Sequence, residues 1–155
     1  MPDGTLSPTT LHRAVFADLR PEQLYAILRL RVDVFVVEQE CAYPELDGRD
    51  AEPDAIHLWH EAGGEVLSTA RLLVDRGGAE VVGRIGRIAT APAARSRGLA
   101  GELIAAGLEH FAGLPVILGA QAHLEGYYGR FGFRRSGPDY DEDGIPHLPM
   151  RREAG

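Results

Sequence analysis

Lysine is absent from the 155-residue sequence, and all 16 basic side chains are arginines. The phosphate-binding pattern GxxxxGK[ST] therefore cannot occur, which excludes a P-loop. Cysteine occurs once, as Cys41, so an internal disulfide is excluded and a reducing compartment is favoured. No apolar run approaches a membrane span, and the polar start Met1–Thr10 lacks the apolar segment of a secretory signal. We therefore expect a cytoplasmic protein that has no membrane partner.

The charge balance argues against nucleic acid as a partner. The formal net charge is −7 at pH 7, whereas neutralising phosphates needs a basic surface. Of the 155 residues, 45% are hydrophobic, which is enough apolar mass for one core. No repeat, low-complexity tract or linker divides the sequence. We therefore predict a flexible terminus at 1–10 and a single domain at 11–155.

Hydrophobic periodicity, interrupted by glycine and proline, predicts ten elements in the order β-α-β-β-β-α-β-α-β-β. The predicted strands are Ala14–Phe16, Ile56–Glu61, Val66–Val74, Val81–Thr90, Pro115–Ala120, Phe133–Ser136 and Ile145–Arg152. The predicted helices are Pro21–Gln39, Leu99–Phe111 and Gln121–Phe131. Gly63–Gly64 and Gly77–Gly78 separate three consecutive strands as hairpin turns do, so these strands are predicted to be antiparallel. This alternation is typical of a layered α/β domain.

Three segments carry more detailed expectations. The wholly apolar run Pro115–Ala120 is typical of a strand that is buried on both faces. β-Branched residues crowd the far end of the first helix, so we expect it to unwind near Val36. The segment Glu38–Asp54 has no regular pattern, and a loop of this length in a small domain is usually functional. We expect three of its side chains to pack it, namely Cys41, Tyr43 and Leu46.

The segment Arg95–Gly101 combines the features of an anion site. A strand that ends before Pro92 precedes it, and a helix with regularly spaced apolar side chains follows it. At such a turn the unpaired N–H groups and the positive end of the helix dipole point the same way. Arg95 and Arg97 add positive charge that suits a pyrophosphate.

The pattern R-x-x-G-x-A, from Arg95 to Ala100, resembles the acetyl-CoA-binding motif of the GNAT family of N-acetyltransferases. The run from Tyr128 to Phe133 reads Y-x-x-x-G-F and is similar to a second signature of that family. Three further segments resemble the ElaA-like subfamily, namely Leu30–Gln39, Gly119–His123 and Glu142–His147. The resemblance spans nearly the whole chain, and it implies a mixed, mostly antiparallel sheet flanked by helices.

The resemblance also implies roles for the matching positions. The acetyl-CoA pyrophosphate would be held by Arg95, Ser96, Arg97, Gly98, Leu99, Ala100 and Gly101, and the pantetheine arm by Ile88, Ala89 and Thr90. Tyr128 aligns with the family's general acid, and a phenol can protonate a leaving thiolate because its ordinary pKa lies close to that of a thiol. The implied reaction moves an acetyl group to a primary amine of a small molecule or peptide by direct attack in a ternary complex. Coenzyme A is the product, and no metal is implied.

The general base is left open. Glu38, where the first helix is expected to unwind, and His147, on the last strand, are our leading candidates. The alternatives are His123, Glu142, Asp143 and a base that acts through water.

Charged residues elsewhere carry further expectations. The carboxylates in Glu38–Asp54 and Asp139–Asp143 favour a cationic acceptor, with solvated acidic loops as the alternative. Arg84 and Arg87 are three positions apart on one strand, so they are predicted to point to opposite faces, and a bulge is predicted at Gly86. His57 and His60 are also three apart on a strand, and we therefore do not expect a metal site there.

Two other readings of the function stay open. Acyl-homoserine-lactone synthases share the implied fold and an Arg-x-x-Val-Phe opening such as Arg31–Phe35. A non-catalytic acyl-CoA-binding module would also keep the anion turn. The acceptor and the oligomeric state are not determined by the sequence, and a homodimer is one of the states left open.

Overall fold

Residues 8–155 form one mixed sheet of eight strands with three α-helices packed against it. The computed structural model describes residues 8–155, so the prediction for residues 1–7 lies outside the described part. The strands are β1 (Thr10–Val15), β2 (Ile56–Ala62), β3 (Glu65–Asp75), β4 (Val82–Thr90), β5 (Val116–Gln121), β6 (Arg134–Arg135), β7 (Tyr140–Glu142) and β8 (Ile145–Arg152). The helices are α1 (Pro21–Val32), α2 (Leu99–His110) and α3 (Glu125–Gly129).

The strand order in the sheet is β1-β2-β3-β4-β5-β8-β6, and β7 also pairs with β8. Strands β1 to β4 form an antiparallel meander, which confirms the three predicted hairpin-linked strands. Strands β4 and β5 are parallel and pair only at Gly83 with Val116 and at Arg84 with Ile117. Beyond Arg84 the two strands diverge. The sheet therefore opens into a cleft between β4 and β5.

Helix α2 packs closely against the face of the sheet that carries Leu72 and Ile85. A Cβ atom on Gly107 of α2 would lie 2.8 Å from Ile85 Cδ1 and 2.9 Å from Leu72 Cδ2, so a larger residue would require these side chains to move. At Gly83 a Cβ atom would lie 2.4 to 2.7 Å from ring atoms of Phe111. These two glycines set the distance between the sheet and α2, and with it the position of the α2 N-terminus.

Helix α1 buries a smaller apolar cluster, which contains Leu30, Val34 and Ala89. Pro21 begins the helix at its first position, where the missing N–H costs no hydrogen bond. The helix does not unwind near Val36 as expected but continues as a wider π-helical segment, Asp33–Glu38. The N–H of Cys41 donates to the carbonyl of Val36 across five residues, at 3.0 Å. A wide turn gives the crowded β-branched side chains more room and keeps the backbone hydrogen-bonded.

Four sequence predictions need correction. The predicted third helix, Gln121–Phe131, is shorter: β5 extends to Gln121, Ala122–Leu124 is a 3₁₀ turn, and α3 itself spans only Glu125–Gly129. The first strand begins at Thr10 and ends at Val15, because Phe16–Asp18 forms a short 3₁₀ helix. Strand β5 is not buried on both faces: Leu118 and Ala120 enter the core, whereas Gly119 is exposed. The acidic turn after Asp139 holds an additional strand, β7, which forms a hairpin with β8.

Candidate active site

A groove of about 840 Å³ runs through the cleft between β4 and β5. One end lies at the N-terminus of α2, and the other lies between the loop 38–54 and the β7–β8 turn. Most of the residues that the sequence predicted for the site line this groove. They are Glu38, Ile88, Ala89, Thr90, Arg95, Ser96, Gly98, Leu99, Ala100, His123, Tyr128, Glu142, Asp143 and His147. Arg97 and Gly101 are not among its lining residues.

The α2 end of the groove can hold an anion. The first intrahelical acceptor of α2 is the carbonyl of Gly98, which binds the N–H of Glu102 at 3.2 Å. The N–H groups of Leu99, Ala100 and Gly101, which precede Glu102, therefore have no acceptor within the helix and lie at its positive end. Gly98 adopts a φ of +77° and Ser96 one of +65°, so the turn uses the left-handed region twice. This turn, with Arg95 beside it, fits a pyrophosphate group.

Arg95 lies in the groove but is paired with Glu38. Its two terminal nitrogens donate to the two carboxylate oxygens of Glu38 at 2.6 and 2.5 Å, and its Nε donates to the carbonyl of Thr90 at 3.1 Å. Hydrogen bonding to Arg95 lowers the pKa of Glu38, and the positive charge of Arg95 acts in the same direction. Glu38 in this pair is therefore a weaker base than a free glutamate.

A β-bulge shapes the β4 edge of the cleft. Thr69 faces Ala89 and Arg71 faces Gly86, so two residues of β4, Arg87 and Ile88, oppose the single residue between Thr69 and Arg71. The irregularity therefore lies one residue beyond the predicted Gly86, and Arg87 takes a φ of +51°. Because of this extra residue, the side chains of β4 after the bulge alternate between the two faces of the sheet one residue out of step with those before it.

The prediction that Arg84 and Arg87 point to opposite faces is wrong because of this bulge. Both line the groove. Arg87 pairs with Asp47 at 3.4 Å, and Asp47 also binds Arg71 of the neighbouring strand at 2.8 Å. Arg84 pairs with Asp75 through its Nε at 2.7 Å.

Tyr128 lies at the boundary between the groove and the core, with 9% of its surface exposed. Its ring packs edge-on against Tyr127 and Phe133. Burial raises the pKa of Tyr128 to about 12, with a smaller contribution from Tyr127. The phenol therefore stays protonated at neutral pH and can donate a hydrogen bond.

His147 and Glu142 form a pair on the β7–β8 hairpin. The Nδ1 of His147 lies 2.8 Å from the carbonyl of Ile145, and its Nε2 lies 3.3 Å from a carboxylate oxygen of Glu142. Because a carbonyl only accepts, Nδ1 carries the proton of the neutral ring and Nε2 then holds the lone pair. The carboxylate of Glu142 also only accepts, so it can hydrogen-bond to Nε2 only when Nε2 carries a proton as well. This arrangement suits a general base whose orientation is fixed by the hairpin.

The loop 38–54 is held by buried ion pairs rather than by apolar contacts. Arg31 of α1, with 1% of its surface exposed, donates to Glu45 and Asp50 at 2.6 Å each. Arg71 binds Asp50 at 3.1 Å. Leu46 is 57% exposed, so the expectation that it packs the loop is wrong.

Neither Arg31 nor Arg71 was predicted from the sequence to have a role. The signal that could have revealed them is an arginine at a buried position of an otherwise apolar helix or strand, because such a charge requires carboxylate partners nearby. The carboxylates of the loop supply those partners. They are largely neutralised inside the protein and offer little support for the expected cationic acceptor.

Two contacts join the walls of the groove across the cleft. The Nε2 of Gln121, at the end of β5, donates to Oε1 of Gln39 at 3.3 Å. The thiol of Cys41 donates to the carbonyl of Asp143 at 3.4 Å. These contacts tie the loop 38–54 to β5 and to the β7–β8 turn.

His57 and His60 are buried and hydrogen-bonded. His57 contacts the carbonyl of Asp50 at 3.0 Å, and His60 bridges Ser68 and Glu102 at 2.5 and 2.7 Å. Across residues 8–155, no group of three or more His, Cys, Asp and Glu side chains is arranged to hold a metal ion. No helix in the same range is both long and apolar enough to cross a membrane.

The chain belongs to the GNAT acetyltransferase family. A sequence model of the acetyltransferase (GNAT) domain matches residues 17–154. The ElaA protein of Escherichia coli is 42% identical over 141 residues, which cover 88% of this chain and 92% of ElaA. A UPF0039 protein of Mycobacterium tuberculosis is 46% identical over 143 residues, which cover 92% of each chain. The resemblance to the ElaA-like subfamily is thereby confirmed.

Solved structures agree with this assignment. An acyl-CoA N-acyltransferase from Pseudomonas aeruginosa superposes with a TM-score of 0.86 at 43% identity, covering 94% of this chain and 99% of that one. The crystal structure of Escherichia coli ElaA superposes with a TM-score of 0.85 at 37% identity, covering 94% of this chain and all of ElaA. The fold class implied by the resemblance is confirmed.

Proposed function

We propose that this protein is an acetyl-CoA-dependent N-acetyltransferase that acetylates a primary amine by direct attack in a ternary complex. The proposal rests on one observation: a single groove is lined by the N-terminus of α2, by the edge of β4 that does not pair with β5, and by Tyr128. The single cysteine is consistent with a cytoplasmic location.

Different residues along the groove bind different parts of acetyl-CoA. The emergent N–H groups of α2 and the Arg95 guanidinium hold the pyrophosphate of acetyl-CoA. Because β4 leaves β5 after Arg84, the backbone of Ile88, Ala89 and Thr90 has no β5 partner and can pair with the pantetheine arm. Acetyl-CoA supplies a thioester, which activates the acetyl group toward amines.

The amine nitrogen must be neutral when it attacks, and it forms the new bond to the acetyl carbon as the carbon–sulfur bond breaks. His147, oriented by Ile145, accepts the proton of the amine directly or through water. Tyr128 donates a hydrogen bond to the departing sulfur. Burial raises the pKa of Tyr128 to about 12, which lies above that of a thiol, so this phenol stabilises the thiolate by donation more readily than by complete proton transfer.

The test is ligand binding followed by turnover. We expect acetyl-CoA and coenzyme A to raise the melting temperature by several degrees, because a ligand at a hundred times its Kd adds about 2.7 kcal/mol. NAD, ATP and S-adenosylmethionine serve as controls and are expected to have no effect. Thiol release from acetyl-CoA in the presence of an amine panel then measures transfer. Stabilisation by S-adenosylmethionine, or by neither coenzyme, contradicts the proposal.

A further inference from the structure

The end of the groove between the loop 38–54 and the β7–β8 turn, where the amine acceptor would bind, has two walls of opposite charge. Strands β3 and β4 contribute three arginines to one wall, Arg71, Arg84 and Arg87. The β7–β8 turn contributes two carboxylates to the facing wall, Glu142 and Asp143. The loop carboxylates that neutralise Arg71 and Arg87, such as Asp47, are not among the groove-lining residues.

The arginine wall retains hydrogen-bond donors. Arg71 is 5% exposed, and its Nε is buried without a hydrogen-bond partner among the described residues. Arg84, which lines the groove, hydrogen-bonds to Asp75 through Nε alone, and its two terminal nitrogens have no hydrogen-bond partner among the described residues. Unsatisfied guanidinium N–H groups beside a cavity favour a ligand that brings a carboxylate, since charged hydrogen bonds of this kind are strong.

Tyr140 shows that the two walls face a common centre. Its ring stacks on His147, and a Cβ atom on Gly119 would lie 2.5 Å from its hydroxyl oxygen. Burial raises the pKa of Tyr140, the charge of Glu142 adds to this, and the charge of Arg84 opposes it. One residue of each wall, Arg84 and Glu142, therefore lies close enough to Tyr140, which also lines the groove, for its charge to act on the hydroxyl.

We propose that the acceptor is zwitterionic, an amino acid whose carboxylate binds the Arg84 side of the groove and whose amino group lies toward Glu142 and His147. This inference rests on the proposed function for its acetyl transfer, but the binding of the amino acid is a separate property. It replaces the expected cationic acceptor with one that carries both charges. It also places the amine beside the Nε2 of His147, the nitrogen that is able to accept its proton.

The test compares each standard L-amino acid with its α-carboxamide, which keeps the size and loses the carboxylate charge. Binding is measured by calorimetry on protein saturated with coenzyme A. We expect at least one amino acid to bind about tenfold or more tightly than its carboxamide. Arg84→Gln should remove most of this difference. Asp75 keeps its partner Arg49 at 2.8 Å in that variant, so the fold is expected to survive.

Arg76→Gln is the matched control, because Arg76 is exposed, pairs with Asp54 at 2.7 Å and does not line the groove. This variant should keep the preference for the amino acid. The inference is overturned if no amino acid binds, if the carboxamides bind equally well, or if Arg84→Gln keeps the full preference. Selective binding without acetylation in the thiol-release assay would support the acceptor class and contradict the proposed function, which separates the two.

Discussion

The carboxylate of Glu38 and the guanidinium of Arg95 meet face to face, through two hydrogen bonds of 2.5 and 2.6 Å, inside the proposed acetyl-CoA groove. The two residues are 57 positions apart in the chain. In this pair Arg95 is neutralised, and Glu38 has a lowered pKa. A pyrophosphate that engages Arg95 must compete with Glu38 for it.

Glu38→Gln is expected to tighten coenzyme A binding. Both side chains are about 40% exposed, so the ion pair is screened by solvent and competes only modestly with the ligand, and the Kd should fall by up to about fivefold. Calorimetric titration with coenzyme A measures the change. Glu22→Gln, on an exposed part of α1, is the control. A weaker affinity in Glu38→Gln would mean that Glu38 supports the site rather than competing for it.

Tyr128→Phe is expected to lower turnover at least tenfold and to leave acetyl-CoA binding unchanged. The ring and its packing remain, and only the donor for the departing sulfur is lost. Steady-state thiol release gives the turnover, and calorimetry gives the binding. Tyr127→Phe removes the neighbouring hydroxyl as a control and should behave like the unmodified protein. Equal turnover in both variants would remove Tyr128 from the mechanism.

Arg31→Met is expected to lower the free energy of unfolding by about 3 to 5 kcal/mol, because it leaves Glu45 and Asp50 buried without their partner. Arg29→Met is the matched control on the same helix. Arg29 is exposed and lies 3.9 Å from Asp33, so its loss should cost about 1 kcal/mol or less. Urea unfolding measures both. Similar midpoints for the two variants would show that the buried network does not stabilise the loop.

Gly83→Ala is expected to destabilise the protein by about 1 to 3 kcal/mol, since the added methyl would overlap the ring of Phe111. Gly86→Ala, three residues along the same strand, meets no atom within 4 Å and serves as the control. Thermal unfolding distinguishes the two. If both substitutions shift the melting temperature equally, the close approach of α2 to the sheet does not limit stability.

Stability is expected to fall in two stages as the pH drops. Burial lowers the pKa of His57, so below about pH 6.5 the unfolded chain binds a proton that the folded chain excludes, and stability decreases. Burial alone would raise the pKa of Asp50, but hydrogen bonds and charge from Arg31 and Arg71 outweigh it and lower the pKa. That contribution is present above about pH 4 and is lost below it.

Urea unfolding across this range measures both stages. His57→Gln should reduce the first, to which His110 also contributes because burial lowers its pKa. A stability that is constant from about pH 7 to pH 5 would contradict the role given to His57.

The sequence predicted those parts of the fold that depend on neighbouring residues. Glycine pairs marked the hairpins, and the strands at Ile56, Glu65 and Val82 begin within one residue of their predicted starts. The start of α2 at Leu99 was also predicted, because the Gly98 turn and the apolar spacing are local signals. Strand β7 was missed because three exposed residues carry no apolar alternation.

The candidate site was predicted as a set of residues but not as an arrangement. Motif resemblance selected side chains such as Tyr128 and Arg95, most of which the structure brings to one groove. Their partners were not predicted, since the pairing of Arg95 with Glu38 joins positions far apart in the chain. The separation of two charged residues in the sequence does not indicate whether their side chains will pair in the fold.

The sequence by itself determined the family, the order of the elements apart from β7, and the position of the turn before α2, because these follow from periodicity and short motifs. Only the tertiary structure decided which way Arg87 points, because a bulge opposite β3 shifts the side-chain alternation by one residue. It also decided that Glu45, Asp47 and Asp50 of the loop 38–54 neutralise the buried arginines Arg31 and Arg71. A charge can be counted in the sequence, but its partner is fixed only when distant segments pack together.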